Sequence, residues 1–96
     1  MEINNLFNIK DKVAIVTGGS RGIGEMITSG FLANGVKVYI SARKAPALIE
    51  KAKELSDKYD QECIPVPCDL SSMEGMEEFV QTISQKEEGI DFLINN

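Results

Sequence analysis

The sequence contains no histidine and only two cysteines, which limits the kinds of site that it can form. Cys63 and Cys68 have four residues between them, and there is no imidazole to complete a metal-binding set. We therefore predict no metal site. Both cysteines are interpreted as reduced thiols near a buried strand, with a redox role as the alternative.

The chain also lacks an excess of basic residues. Ten lysines and arginines stand against fifteen aspartates and glutamates, which gives a formal net charge of −5. The basic residues are not gathered on one predicted face, as a nucleic-acid footprint would require. Nucleic acid is therefore not expected as a partner.

Long apolar runs are absent as well. No stretch approaches the roughly 18 consecutive apolar residues that cross a membrane. The first ten residues, MEINNLFNIK, lack the basic and then apolar layout of a signal peptide. We expect a cytoplasmic protein that does not contact a membrane.

Length and composition are those of one small globular domain. A chain of 96 residues supports at most one domain of this kind. Hydrophobic residues make up 43% and charged residues 26% of the sequence, so a packed core is expected and disorder is not.

The apolar pattern alternates between the periods of strands and helices. Strands are predicted over 12–17, 36–42, 64–68 and 90–94, and helices over 23–34, 46–59 and 71–89. Connections of this length allow only parallel, right-handed crossovers. The sequence therefore predicts an α/β fold, the N-terminal βαβαβαβ half of a Rossmann-type doubly wound sheet with strand order 3-2-1-4.

Individual residues refine this prediction. The continuous apolar run 12–17 is typical of a central strand, whereas Pro65 and Pro67 cannot donate to a ladder and favour an edge position for the third strand. Ser71 with Glu74 resembles a capping box and predicts the start of the third helix. The buried stripe of the second helix is predicted to contain Leu48, Ala52, Leu55 and Tyr59, and that of the third helix Met76, Phe79, Val80 and Ile83.

A cluster of four glycines lies between the first strand and the first helix, in the stretch VTGGSRGIG. At such a turn the helix N-terminus offers free N–H groups and a positive dipole end to a pyrophosphate. We predict that Gly18 permits the sharp turn, Gly22 lets the backbone approach phosphate oxygens, and Gly24 lets the helix pack closely. Gly30, inside the helix, is predicted to mark close packing without a ligand role. The alternative is a tight turn that binds nothing.

The end of the second strand indicates which dinucleotide would bind. An acid normally placed there binds the ribose 2′-hydroxyl of NAD, but this chain has Ser41, Ala42, Arg43 and Lys44. Cations at this point favour a 2′-phosphate, and Arg21 in the turn can reach the same group. We therefore predict NADP(H). The alternative is that these three cations are solvated surface residues.

Three motifs together resemble the short-chain dehydrogenase/reductase family: TGGSRGIG at 17–24, CDL at 68–70 and LINN at 93–96. The resemblance covers the whole chain and is greatest to the NADPH-dependent 3-oxoacyl-acyl-carrier-protein reductases. It implies an oxidoreductase that reduces a small-molecule carbonyl substrate to an alcohol, as a dimer or tetramer.

The resemblance also implies roles for individual residues. Asp69 would accept a hydrogen bond from the adenine amino group beside the Leu70 backbone, although an aspartate before a helix is also a common N-cap. Asn95 and Asn96 match the start of a segment that passes under the adenine ribose. The cofactor turn would comprise Gly18, Gly22, Ile23 and Gly24, with Ser20, Arg21 and Arg43 near the 2′-phosphate.

The catalytic motif of the resembled family, Tyr-x-x-x-Lys with an upstream serine and an asparagine, does not occur in this sequence. Tyr39 lies in a predicted strand without a lysine four residues on, and Tyr59 lies in a predicted buried stripe. We predict no catalytic residue here and expect the chain to be the N-terminal part of a longer enzyme. The alternatives are a non-enzymatic dinucleotide-binding or sensing module and an NAD-linked alcohol dehydrogenase.

Overall fold

Four parallel strands and three helices alternate along residues 9–96, the part of the chain that this computed structural model describes. Most of the N-terminal segment considered above for a signal peptide lies outside the described residues. The elements are β1 (Val13–Thr17), α1 (Gly22–Ala33), β2 (Lys37–Ala42), α2 (Ala45–Tyr59), β3 (Cys63–Pro67), α3 (Met73–Lys86) and β4 (Phe92–Asn95). The sheet order is β3-β2-β1-β4, so the predicted fold class and strand order are confirmed.

Strand β1 is the central strand that aligns the others. It pairs in parallel with β2 on one side and β4 on the other. Thr17, its last residue, lies opposite both Ser41 and Asn95, so three strands end at the same edge of the sheet. Ala14 and Val16 are completely buried, as expected for a strand covered on both faces.

Strand β3 lies at the edge of the sheet, as its prolines predict. Among the described strands it pairs only with β2, and Pro65 lies opposite Ile40. Because proline has no backbone N–H, a central position would leave ladder bonds unmade.

Each face of the sheet carries its own hydrophobic cluster. Helices α1 and α2 contribute Leu32 and Leu48 to the first, where they pack with Val38 and Ile40. Helix α3 contributes Phe79 and Ile83 to the second. The predicted stripe of α2 is confirmed, because Leu48, Ala52 and Leu55 are buried and Tyr59 packs against the same cluster.

The predicted bounds of α3 are wrong at both ends. The N-cap is Ser72, whose hydroxyl accepts a hydrogen bond from Gly75 N at 3.0 Å, and not Ser71. The hydroxyl of Ser71 instead donates to Asp69 Oδ1 at 2.6 Å, which holds it in the turn before the helix. The helix also ends at Lys86 and not at the glycine three residues on.

The buried side of α3 is narrower than predicted. Phe79 and Ile83 are buried, but Met76 is 50% exposed and Val80 60% exposed. The third buried residue of α3 is Gly75, because the first turn of the helix lies directly against the backbone of Asp69. Helical spacing predicts which residues share a face, but the neighbouring elements decide how much of that face is covered.

A polar network ties β2 to the end of α3. Tyr39 is completely buried, and its hydroxyl donates to Glu87 Oε2 at 2.5 Å. Lys37 Nζ lies 2.6 Å from the same carboxylate oxygen. Burial, together with the bond to Glu87, raises the pKa of Tyr39 to about 12.

Within residues 9–96, no helix has the length and apolar character needed to cross a membrane.

We expect the pH dependence of stability to report this network. An unfolded tyrosine ionises near pH 10 and folded Tyr39 near 12, so the native state retains the proton over this range while the unfolded state releases it. The free energy of unfolding should therefore fall as the pH rises from 10 to 12, by roughly 2 kcal/mol more in the parent protein than in Tyr39→Phe. Urea unfolding at several pH values measures this difference.

Tyr59→Phe is the matched control, because Tyr59 packs on the opposite face of the sheet. It should leave the alkaline fall in stability unchanged. Identical pH profiles for the parent and Tyr39→Phe would contradict the assignment.

Candidate functional site

A cleft of about 760 Å³ opens at the edge where β1, β2 and β4 end. All the predicted site residues except Gly24 and Lys44 line it. The lining residues are Thr17, Gly18, Ser20, Arg21, Gly22, Ile23, Ser41, Ala42, Arg43, Cys68, Asp69, Leu70, Ser71, Asn95 and Asn96. The fold therefore brings together motifs that are up to 79 residues apart in sequence.

The turn between β1 and α1 forms one wall of the cleft. Gly18 has φ +66° and Gly22 φ +56°, values in the left-handed region that favours glycine. Gly18 N donates to Ser41 O at 3.1 Å, which fixes the turn to the end of β2. The sharp turn predicted at Gly18 is confirmed. Ser41 is 2% exposed and supports the turn through its carbonyl oxygen.

Gly24 lies behind the cleft, where α1 meets the end of β1. A Cβ atom at this position would lie 2.1 Å from the carbonyl oxygen of Gly18, far inside any allowed contact. The close packing predicted for Gly24 is confirmed. Gly30 is different, because a Cβ there would have no heavy atom within 4 Å, so the close packing predicted for it is wrong.

The N-terminus of α1 faces the cleft without a side-chain cap. Arg21 is the N-cap residue and makes no side-chain hydrogen bond to the helix, because a guanidinium cannot accept one. Glu25 N is the first amide that bonds back along the chain, to Arg21 O at 3.2 Å. The preceding amides therefore have no partner within the helix. They offer several N–H donors and the positive end of the helix dipole to an anion.

Thr28 supports the same turn from within the protein, although the sequence analysis assigned it no role. It is completely buried, and its hydroxyl lies 2.9 Å from Gly24 O and 3.2 Å from Gly19 O. A Cβ on Gly19 would lie only 2.7 Å from that hydroxyl oxygen. The available signal was a polar residue at a buried helical position, one turn after Gly24.

A second set of hydrogen bonds joins the ends of β1 and β4. The Thr17 hydroxyl lies 3.0 Å from Asn95 Oδ1 and accepts a hydrogen bond from Asn96 N at 3.0 Å. The side-chain amide of Asn96 donates to Gly18 O at 3.5 Å. Asn95 and Asn96 thus tie the ends of β1 and β4 together. Thr17 is a further lining residue that sequence reasoning missed.

Asp69 presents a carboxylate to the cleft. Its Oδ1 accepts hydrogen bonds from the hydroxyl and the backbone N–H of Ser71, and these bonds, with Arg43 nearby, hold the pKa of Asp69 below its usual value. The group is therefore an anion at neutral pH and can only accept hydrogen bonds. The alternative interpretation, that Asp69 caps α3, is wrong because Ser72 does so.

The cations Arg21 and Arg43 line this cleft and also an adjoining one. This second cleft, of about 660 Å³, contains Lys44 and shares Arg21 and Arg43 with the first. Its full lining is Ser20, Arg21, Ala42, Arg43, Lys44, Ala47, Leu48 and Lys51. The arrangement can hold an anion with a diphosphate at the helix start and a further negative group among the cations.

Among the described residues, no group of three or more His, Cys, Asp and Glu could hold a metal ion.

The comparison with known families matches nearly the whole chain. The model of the short chain dehydrogenase family matches residues 12–96. A curated relative, the rhamnolipids biosynthesis 3-oxoacyl-[acyl-carrier-protein] reductase of Pseudomonas aeruginosa, is 42% identical over 90 residues, which are 94% of this chain and 34% of that protein. The chain therefore spans about a third of the length of this relative.

Solved structures agree with this comparison. The RhlG/NADP active-site complex from Pseudomonas aeruginosa superposes with a TM-score of 0.88 at 42% identity, covering 94% of this chain and 36% of the other. L-sorbose reductase from Gluconobacter frateurii, solved with NADPH and L-sorbose, gives a TM-score of 0.88 at 35% identity, covering 93% and 34%.

Alanine substitutions at the two glycines of α1 should have opposite effects. Gly24→Ala must push α1 away from Gly18 O, so we expect the free energy of unfolding to fall by about 1 to 3 kcal/mol. Gly30→Ala adds a methyl group into open space and a better helix former, so stability should rise by up to about 1 kcal/mol. Urea unfolding of both variants measures this contrast, and equal effects at the two positions would contradict it.

Proposed function

The chain belongs to the short chain dehydrogenase family of oxidoreductases, and on this basis we propose that it carries the adenosine-binding part of an NADP(H)-dependent carbonyl reductase. Residues 1–96 would be the N-terminal part of a single NADP(H)-binding domain. The observation that carries this proposal is the uncapped start of α1, which opens into a cleft whose adjoining walls bear cations.

The diphosphate of the dinucleotide would bind at the start of α1. Gly22 has no Cβ to block the approach of phosphate oxygens, and the amides that follow Arg21 have no partner within the helix. Two negative charges beside the positive end of a helix dipole are favourable. Gly18 and Gly24 would serve this site by holding the turn and the helix against the sheet.

The 2′-phosphate would bind among the cations beyond the end of β2. Arg43 lines both clefts, Arg21 approaches from the turn, and Lys44 lies in the adjoining cleft with Ser20. A carboxylate at this place would favour the ribose hydroxyls of NAD, but Ser41 to Lys44 contain none. The solved complexes of two similar proteins contain NADP and NADPH, which supports the same choice.

The adenosine would lie between the ends of β3 and β4. The Asp69 carboxylate, ionised at neutral pH, would accept a hydrogen bond from the adenine amino group, with the Leu70 backbone beside it. Asn95 and Asn96 would lie under the ribose, while Ile23 would complete the turn.

When bound, the nicotinamide supplies a hydride. The residues of this chain bind and orient the other half of the dinucleotide. The proton donor and the groups that hold the carbonyl substrate would come from outside residues 1–96, which contain no Tyr-x-x-x-Lys motif. We propose a 3-oxoacyl thioester as the substrate, because a similar protein carries that activity in its name. We also propose that the complete protein is a homo-oligomer and lies in the cytoplasm.

Arg43→Ala tests the choice of cofactor. A guanidinium that forms a charge-assisted bond to the 2′-phosphate should contribute about tenfold to affinity. We expect the Kd for NADPH to rise by about this factor in the complete protein, while the Kd for NADH stays within twofold. Both are measured by the change in nicotinamide fluorescence on binding.

Lys53→Ala is the matched control, since Lys53 is an exposed cation of α2 that lines neither cleft. Its affinities for both dinucleotides should equal those of the parent protein. An unchanged ratio of NADPH to NADH affinity in Arg43→Ala would show that Arg43 is only a solvated surface cation.

The reaction itself is tested by the oxidation of NADPH, followed at 340 nm. We expect the complete protein to oxidise NADPH with 3-oxoacyl thioesters, and to do so faster than with simple ketones or with NADH. Turnover with NADH alone would indicate an NAD-linked dehydrogenase. Tight binding of NADPH without turnover on either class of carbonyl would indicate a nucleotide-binding or sensing module.

A further inference from the structure

Lys51 lines the adjoining cleft together with Arg21, Arg43 and Lys44. Unlike these three, it belongs neither to the glycine turn nor to the segment at the end of β2. It lies on α2, about two helical turns after the start of that helix. We propose that Lys51 is a specificity-determining residue that favours a 2′-phosphate by neutralising Glu25. This inference rests on the proposed function, since it concerns the same cofactor.

The contacts of Lys51 join the two helices that flank the cleft. Its Nζ lies 3.4 Å from Glu25 Oε1 on α1 and 2.8 Å from Glu54 Oε2 on its own helix. The Lys51 side chain as a whole is 27% exposed. Glu54 is 62% exposed, and its pairing with Lys51 is a surface contact of little energetic consequence.

Glu25 is the residue whose charge would oppose cofactor binding. It lies in the first turn of α1, and its Oε1 is 3.4 Å from Nζ of Lys51, a lining residue of the adjoining cleft where the 2′-phosphate would bind. Without a partner, the Glu25 carboxylate would repel the two negative charges of the 2′-phosphate. Salt would screen this repulsion only in part. The Lys51 ammonium cancels this repulsion.

The adjoining cleft makes this effect specific to the extra phosphate. The cations Arg21, Arg43 and Lys44 line this cleft, and so do Lys51 and Leu48. A ribose without the 2′-phosphate places no charge in this region, so loss of Lys51 should leave binding of NAD(H) nearly unaffected.

Lys51→Met in the complete protein tests the proposal, because methionine retains the apolar part of the side chain and removes the charge. We expect the Kd for NADP⁺ to rise about three- to tenfold and the Kd for NAD⁺ to stay within twofold, by isothermal titration calorimetry at low salt. Lys53→Met, two residues along the same helix, is the matched control and should change neither constant.

Glu25→Gln in the Lys51→Met background separates shielding from other roles. If Lys51 acts through Glu25, this second change should restore the ratio of NADP⁺ to NAD⁺ affinity to within about twofold of the parent value. An unchanged ratio in Lys51→Met, an equal loss for both dinucleotides, or no restoration by Glu25→Gln would each overturn the proposal.

These measurements also distinguish a wrong role for Lys51 from a wrong proposed function. If the parent protein binds neither dinucleotide, the proposed function itself is wrong. If the parent prefers NADP⁺ and Lys51→Met shows the same preference, only the role of Lys51 is wrong.

Discussion

The close approach of α1 to the end of β1 is the constraint on which the cleft depends. Gly24 lies so near the carbonyl oxygen of Gly18 that no side chain fits between them. This contact fixes where α1 begins and directs its first amides toward the end of the sheet. The Thr28 hydroxyl holds the same turn from the buried side, through the carbonyl oxygens of Gly19 and Gly24. Moving the helix outward would therefore disturb the donors as well as the packing.

Helices α1 and α3 both begin near the cleft but treat their first amides differently, and the difference has a functional meaning. In α3 the Ser72 hydroxyl satisfies the Gly75 amide, so that terminus is complete without a ligand. In α1 the N-cap is Arg21, which cannot accept a hydrogen bond. An uncapped start is less stable for the isolated protein, but it leaves donors for an anion. Local rules of stability are commonly broken where a protein binds its ligand.

The sequence-based predictions that failed share a cause. Helical periodicity placed Met76 and Val80 on the buried side of α3, and a capping pattern placed the helix start at Ser71. Both patterns are local, whereas the outcome depended on contacts with other parts of the chain. Ser71 is held by the carboxylate of Asp69, and the surface beside Val80 is not covered within residues 9–96. Likewise, nothing local distinguishes Gly30, which has open space around it, from Gly24.

The order of the elements and the identity of the turn follow from local sequence patterns. Runs of β-branched residues, helical spacing and the glycines at 18, 22 and 24 report backbone preferences that act over a few residues. Which groups meet depends on the tertiary fold: the Thr17 hydroxyl with Asn95 and Asn96, the Thr28 hydroxyl with the turn, and Lys51 with Glu25 across two helices. These pairs depend on the strand register and the helix packing, and a linear pattern does not record the distance between residues that are far apart in the chain.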